Sequence, residues 1–388
     1  MLNFSYKNNA KIIFGQNSIK NLENELKELK VSKLLLLYSG KYIFDLGIHD
    51  EVEKICNKLN IKFIENGNIV PNPRVELVRE LVVLSKSENI DFILAVGGGS
   101  VMDTAKAVAV GSMSNEDVWK FYTYEKEPTE ALPIGVVSTI ASSGSESSNC
   151  SIISDETHKL GIEYDFIIPK FAIIDPSYTR SLPIYQLACG ISDTSSHLIE
   201  RYYTTVEHVD ATDYMIEGLL KALMLNATRL FNDPDDIQAR SEIFLISLVA
   251  HNNILDSGRM ADWASHRIEH EISNFYGITH GEGMALTMVA YARYMSKIQP
   301  KKLAQLANRL FDVDYKNYTE EQMANILADN LERFYKSLGM RTKLSEMNIP
   351  DDKFMQMALN ATKNDTSAVG HYKPLLSKEI VEVLKLAK

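Results

Sequence analysis

The sequence predicts two successive domains: a doubly wound α/β domain on a parallel sheet over residues 1–180, and an all-α domain over residues 181–388. Three observations carry this expectation. The chain has 388 residues, too many for one ordinary core. Its first half alternates short apolar runs with longer helix-like segments, and after about residue 180 the apolar runs stop while helical patterns continue to the C-terminus.

The strands are read from LLLLY at 34–38, DFILAV at 91–96, LPIGVVST at 132–139 and FAIID at 171–175. Between them lie segments of helical period, such as RVELVRELVVLSKSE after Pro73. Strands alternating with helices make βαβ crossovers, and hence a parallel sheet covered on both faces. The boundary is expected near Pro176 to Pro183, where DPSYTRSLP interrupts both patterns. Beyond it, YTEEQMANILADNLERFYKSLGM shows how the helices are written: Thr319 with Gln322 forms a capping box and Gly339 supplies a stop. No internal repeat or low-complexity tract is present.

Composition narrows the function classes. With 41 Lys and Arg against 51 Asp and Glu, the formal charge of −10 leaves no basic block to displace counterions, so a nucleic-acid partner is excluded. The three cysteines, Cys56, Cys150 and Cys189, are odd in number and widely spaced, which fits neither a disulfide framework nor a metal knuckle and points to a reducing cytoplasm. The N-terminal MLNFSYKNNAKIIFG is not written as an export signal, and no apolar run approaches membrane-spanning length.

Two segments of the first half carry chemistry. In AVGGGSVMDTAK, Ala95 to Lys106, a strand runs into Gly97, Gly98 and Gly99 and a helix opens at Ser100. Glycines there let a phosphate approach the backbone, and the helix N-terminus stabilises its charge; a tight turn needing flexible residues is the other reading. In GVVSTIASSGSESS, Gly135 to Ser148, a strand empties into small hydroxyl residues, which form either a pocket wall or a solvated loop.

The second half supplies carboxylate and imidazole. CGISDTSSHLIERYY places Asp193 and His197 four apart on one helical face, as a hydrogen-bonded or capping pair or as half of a metal site. DWASHRIEHEISNFYGITHG, Asp262 to Gly281, adds His266 and His270 with the same spacing, and Gly277 breaks the helix so that His280 can return to that face. One carboxylate oxygen and three imidazole nitrogens suit Fe(II) or Zn(II).

Taken together, GGGSVMDTAK, TIASSGSE, GISDTSSHLIE and WASHRIEHEISNFYGITHG resemble the group III, iron-containing alcohol dehydrogenase family, in its butanol dehydrogenase-like branch, over nearly the whole chain. The resemblance implies a Rossmann-like N-terminal domain and a helical C-terminal domain, the fold shared with dehydroquinate synthase, with the active site in the cleft between them. It implies Asp193, His197, His266 and His280 as ligands to Fe2+ or Zn2+, and His270 as a non-ligand histidine that relays a proton. For the cofactor it implies Gly97, Gly98, Gly99 and Ser100 at the pyrophosphate, Asp103 near the nicotinamide end, Ser138, Thr139 and Ser145 in the pocket wall, and Lys159 and Leu182 as further contacts. The implied reaction interconverts primary alcohols and aldehydes by hydride transfer to or from a nicotinamide, in a homodimer.

The chain departs from the family pattern in two places, YSGKYIFDLG at 38–47 and IASSG at 140–144. In the first, Ser39, Gly40 and Lys41 offer small groups and a positive charge where an acidic residue would repel a 2′-phosphate, so NADP(H) is expected over NAD(H). The alternatives are a dehydroquinate synthase-like or glycerol dehydrogenase-like enzyme, or a silent binding protein. Glu200, Glu269 and Glu271 read as solvated or ion-paired helix positions. His49, His158, His208, His251 and His371 show no partner pattern, and Trp119 and Trp263 read as core anchors, Trp263 near enough to His266 to border the pocket.

Overall fold

The structure, a computed structural model, describes all residues 1–388. The chain divides into two compact units, residues 7–182 and residues 183–388 together with 1–6. The division lies between Leu182 and Pro183. The first six residues depart from the expectation: Leu2 N donates to Gly258 O (2.8 Å), so the N-terminal strip belongs to the helical unit.

The first unit holds eight strands: β1 Lys11–Phe14, β2 Lys33–Tyr38, β3 Lys62–Asn66, β4 Phe92–Gly97, β5 Ile134–Ser138, β6 Cys150–Ser154, β7 Lys159–Glu163 and β8 Phe171–Ile174. Its helices are α1 Leu22–Glu28, α2 Tyr42–Asp45, α3 Ile48–Leu59, α4 Val75–Glu88, α5 Gly99–Ser112 and α6 Trp119–Tyr122. Six strands form one sheet in the order β1-β8-β5-β4-β2-β3, every neighbouring pair parallel, while β6 and β7 pair antiparallel as a separate hairpin.

Why LLLLY is continuously apolar follows from this order. Leu34 and Leu36 face one side of the sheet, packing with Leu22, Leu26, Val52 and Ile55, while Leu35 and Leu37 face the other with Val78, Leu81 and Val108. A central parallel strand is covered on both faces, so alternation gives way to a run. Each of these fully buried leucines contributes about 1.5–3 kcal/mol. The sequence reading misses β1, β3 and the hairpin. The edge strands β1 and β3 read KIIF and KFIEN, mixing lysine and exposed positions among their apolar residues, so neither stands out as a core run.

β2 lies between β3 and β4, so the chain reverses direction across the sheet there, and the carboxyl ends of β2 and β4 flank the crevice in which doubly wound sheets bind ligands. Helix α4 meets the sheet through Val75, Val78 and Leu81. It ends at Asn89 in the left-handed conformation, φ 54°.

The second unit is helical: α7 Ile184–Tyr202, α8 Asp210–Asn232, α9 Ile237–Ala250, α10 Ala264–Tyr276, α11 His280–Ile298, α12 Lys301–Phe311, α13 Glu320–Ser337, α14 Phe354–Ala361 and α15 Ser377–Leu386. The capping box on α13 forms as expected, Gln322 N donating to Thr319 Oγ1 (3.3 Å) and Thr319 N to Gln322 Oε1 (2.9 Å). Helix α7 is buried from Leu187 to Tyr202 despite its serines. Ser195 and Ser196 donate back to the carbonyls of Ser192 and Asp193, each at 2.7 Å, which satisfies their hydroxyls inside the unit.

Candidate metal centre and dinucleotide cradle

The cradle is made by three neighbouring strand ends. β4 stops at Gly97, the backbone turns through Gly98, and the fourteen-residue α5 starts at Gly99. Ser138, the last residue of β5, is in register with Gly97, and Thr139 N donates to Gly97 O (3.2 Å). On the other flank β2 ends at Tyr38 beside Val96, followed by Ser39, which bridges to Asn68, and Gly40. Tyr42, unremarked in the sequence reading, brings its hydroxyl 3.3 Å from Thr139 Oγ1 and so ties the loop after β2 to the end of β5. Ser39, Gly40, Gly97, Gly98, Gly99, Ser100, Ser138 and Thr139 are therefore gathered along one edge of the sheet, around the positive end of the α5 dipole.

A Cβ on Gly98 would lie 2.6 Å from Ile140 Cγ2, and one on Gly99 the same distance from Ser143 Oγ. The loop after β5 thus rests on bare backbone. Gly98→Ala must push the β-branched Ile140 aside, and dinucleotide affinity is expected to fall about tenfold in a fluorescence titration, with metal content unchanged.

Two other expected cofactor residues hold the protein to itself. Asp103 accepts from Ser145 Oγ (2.7 Å) and from Ile152 N (3.1 Å), one bond to each carboxylate oxygen. The Ser145 hydroxyl proton is thereby directed at Asp103. Burial pushes the Asp103 carboxyl up, against the pull of Lys106, Ser145, Ile152 and Lys159. Lys159 lies on β7, within electrostatic reach of Asp103, and Leu182 ends the first unit with its amide bonded to Thr179 O (3.2 Å).

In the helical unit, α7 supplies Asp193 and His197, α10 supplies His266 and His270, and α11 opens on His280. Gly277, with φ +66°, caps α10 through its N–H on Ser273 O (2.8 Å) and lets the chain double back, so that His280 comes to the same place as His266. Three Nε2 atoms surround one oxygen: Asp193 Oδ1 lies 3.4 Å from His280, 3.6 Å from His197 and 3.8 Å from His266. The ligand atoms of Asp193, His266 and His280 all lie within 4.8 Å of one another. The rings of His197 and His266 stack at 4.9 Å, and His270, buried, has its ring 5.7 Å from that of His280.

The opposite ring nitrogens are also held. His266 Nδ1 pairs with Glu200 and His280 Nδ1 with Glu269, and both glutamates are fully buried. Of the two readings of Glu200 and Glu269, solvated or ion-paired, the paired one holds, with imidazoles as the partners. The available signal was that each sits on the same helix as a candidate ligand: Glu200 three residues after His197, Glu269 three after His266. Glu200 also accepts from Ser265 N (2.6 Å), which fixes the carboxylate as well as the ring. Trp263 borders the cluster, its ring 5.2 Å from His266 and 6.0 Å from His197, with the Arg201 guanidinium 4.5 Å over it. His251 stands 4.3 Å from His197, ring to ring, and Trp119 stacks on Tyr122 as a core anchor.

Electrostatics agree with this geometry. Burial alone would raise the Asp193 carboxyl, but His197, His280 and His266 outweigh it and hold it well below the usual carboxylate range. Burial disfavours charge on His266 too, yet Glu200 and Asp193 push it up to about 9. His197 is held well below an ordinary imidazole, first by burial.

These residues fit a divalent metal. His266 Nε2 is buried with no hydrogen-bond partner, and it faces the carboxylate oxygen on which two further imidazoles converge. Three nitrogens and one oxygen, with Nδ1 of two rings fixed by carboxylates, are the donor set and outer support that Fe(II) and Zn(II) use.

A parallel sheet ending in a glycine cradle, together with a helical unit that gathers three imidazoles around a carboxylate, defines a two-unit protein suited to a dinucleotide in one unit and a divalent metal in the other. The Iron-containing alcohol dehydrogenase model matches residues 9–176, and the model for the Fe-containing alcohol dehydrogenase family, C-terminal, matches residues 187–388. The chain belongs to the iron-containing alcohol dehydrogenase family. It is 37% identical over 387 residues to the probable NADH-dependent butanol dehydrogenase 1 of Bacillus subtilis, covering 99% of each chain. It is 30% identical over 351 residues to the NADPH-dependent aldehyde reductase YqhD of Escherichia coli, covering 89% of each. The crystal structure of NADH-dependent butanol dehydrogenase A from Thermotoga maritima superposes with a TM-score of 0.95 at 31% identity, covering 100% of this chain and 99% of that one. The protein is thus an oxidoreductase that interconverts alcohols and aldehydes.

Proposed function

We propose that the protein reduces short-chain aldehydes to primary alcohols, and the reverse, with a divalent iron or zinc ion held by Asp193, His197, His266 and His280. The observation that carries this reading is the convergence of three imidazole Nε2 atoms on Asp193 Oδ1. When bound, the metal supplies Lewis acidity toward the substrate oxygen, and the nicotinamide supplies or accepts hydride. The remaining work falls to the chain. Glu200 and Glu269 keep His266 and His280 in the tautomer that presents Nε2. His270, within ligand-atom reach of His280, holds and passes a proton at a ring nitrogen, for which an imidazole is suited near neutral pH. The N-terminus of α5 receives the pyrophosphate.

For the cofactor we favour NADP(H). Supporting this are Gly40 and the exposed Lys41 after β2, where nothing acidic directly follows the strand. A second reading, NAD(H), is favoured by the NADH-dependent relatives. A homodimer is supported by edge strand β1, whose Ile12 and Phe14 are exposed. Residence in the cytoplasm is supported by three free cysteines; no helix is long and apolar enough to cross a membrane.

Chelation should stop NAD(P)H oxidation in the presence of butanal, and one equivalent of Fe(II) or Zn(II) should restore it. NADPH is expected to give the higher kcat/KM by about tenfold, a difference of ~1.4 kcal/mol. No turnover over a panel of short aldehydes with either metal would sink the proposed reaction; a ratio favouring NADH would overturn the cofactor choice alone.

A further inference from the structure

We propose that Lys106 is a positioning residue for the dinucleotide, acting through the serine-rich segment at 143–152, which spans the end of the loop after β5 and the first residues of β6; this rests on the dinucleotide reading above. Lys106 sits two turns into α5 and is fully buried. Its ammonium donates to Ser145 Oγ (2.9 Å), Ser148 O (2.9 Å) and Cys150 O (2.8 Å), with Ser148 Oγ at 3.3 Å. An ammonium has three protons, and three close acceptors, two from the loop after β5 and one from the first residue of β6, take them. A buried cation persists only when so satisfied, which makes the arrangement stiff.

Asp103, one turn earlier on the same helix, completes the bracket. Ser145 Oγ accepts from Lys106 and donates to Asp103, Ile152 N donates to the other carboxylate oxygen, and Ser151 Oγ donates to the Asp103 carbonyl (2.9 Å). The segment from the end of β5 at Ser138 to the start of β6 at Cys150 has no helix or strand of its own. Within it, Ser147 N and Ser148 N donate to Gly144 O, each at 3.1 Å. Ser143 and Ile140 of that same segment lie on Gly99 and Gly98. The helix that offers its N-terminus to the pyrophosphate therefore also clamps, from below, the segment that closes over that turn. With its ammonium buried and its three protons taken, Lys106 touches no ligand and acts only by fixing this wall.

The test uses the metal-loaded full-length protein and its Lys106→Met and Ser145→Ala variants. Binding of NADH and NADPH is followed by fluorescence titration, with steady-state kinetics and metal content measured in parallel. Lys106→Met is expected to raise dinucleotide Kd and KM about tenfold or more, and Ser145→Ala about threefold, with kcat at saturating cofactor within about threefold of the parent. Metal content should not change. If Lys106→Met does not fold, Ser145→Ala carries the same KM-against-kcat comparison. Unchanged dinucleotide affinity in the variants overturns the inference, as does a loss of kcat and metal content without a rise in cofactor KM. A parent protein that binds neither dinucleotide overturns the dinucleotide reading itself, and this inference with it.

Discussion

Asp193→Ala is expected to leave the purified protein with less than about a tenth of an equivalent of metal and to lower turnover by about 10³-fold or more, ~4 kcal/mol in activation free energy. The carboxylate is the one anion among the four proposed donors, and a single oxygen of it faces all three imidazoles. Without it, three rings remain around an uncharged gap, and His266 and His280 are left leaning on Glu200 and Glu269 alone. Elemental analysis reads the first effect and aldehyde reduction the second. His270→Ala is the contrasting control: metal should stay within about twofold while kcat falls about 10²–10⁴-fold, the usual range for a positioned proton-transfer group. Metal loss from the His270 variant with retention in the Asp193 variant would reverse the two roles.

Glu200→Gln should weaken metal binding about 10–100-fold, ~1.4–2.7 kcal/mol, although the residue is not among the proposed ligands. Glu200 is fully buried, its Oε2 pairs with His266 Nδ1, and its Oε1 accepts from Ser265 N. An amide keeps the shape but presents either its oxygen or its NH2 to that backbone N–H, and it lowers the basicity of the ring it orients. Glu269→Gln acts alike on His280, where the carboxylate also accepts from Ser273 Oγ. Competition against a chelator of known affinity measures both. Affinities within about twofold of the parent in both variants would show that the imidazoles need no such support.

The central strands were legible because β2, β4, β5 and β8 are buried on both faces and so read as unbroken apolar runs. The edge strands carried no such mark. Spacing put Asp193 with His197 on one face of α7 and His266 with His270 on one face of α10; the candidate donor set that adds His280 and leaves out His270 came from the family resemblance. What spacing could not reach was the partnership across helices. Glu200 on α7 meets His266 on α10, and nothing local distinguishes that buried glutamate from a solvated one. The partners of Asp103 were out of reach for a related reason: its donors, Ser145 Oγ and Ile152 N, lie more than forty residues further along the chain.

The first six residues give the chain an unusual order of assembly. Because they belong with residues 183–388, the sheet unit is in topological terms an insertion within the helical one. During synthesis the sheet unit can close as soon as residue 182 is made, whereas the strip at the start must wait for Gly258 before Leu2 finds its acceptor. The unit that carries the proposed metal donors is thus the last to close, and its closure joins Leu2 to Gly258 across the whole of the sheet unit rather than neighbours in sequence.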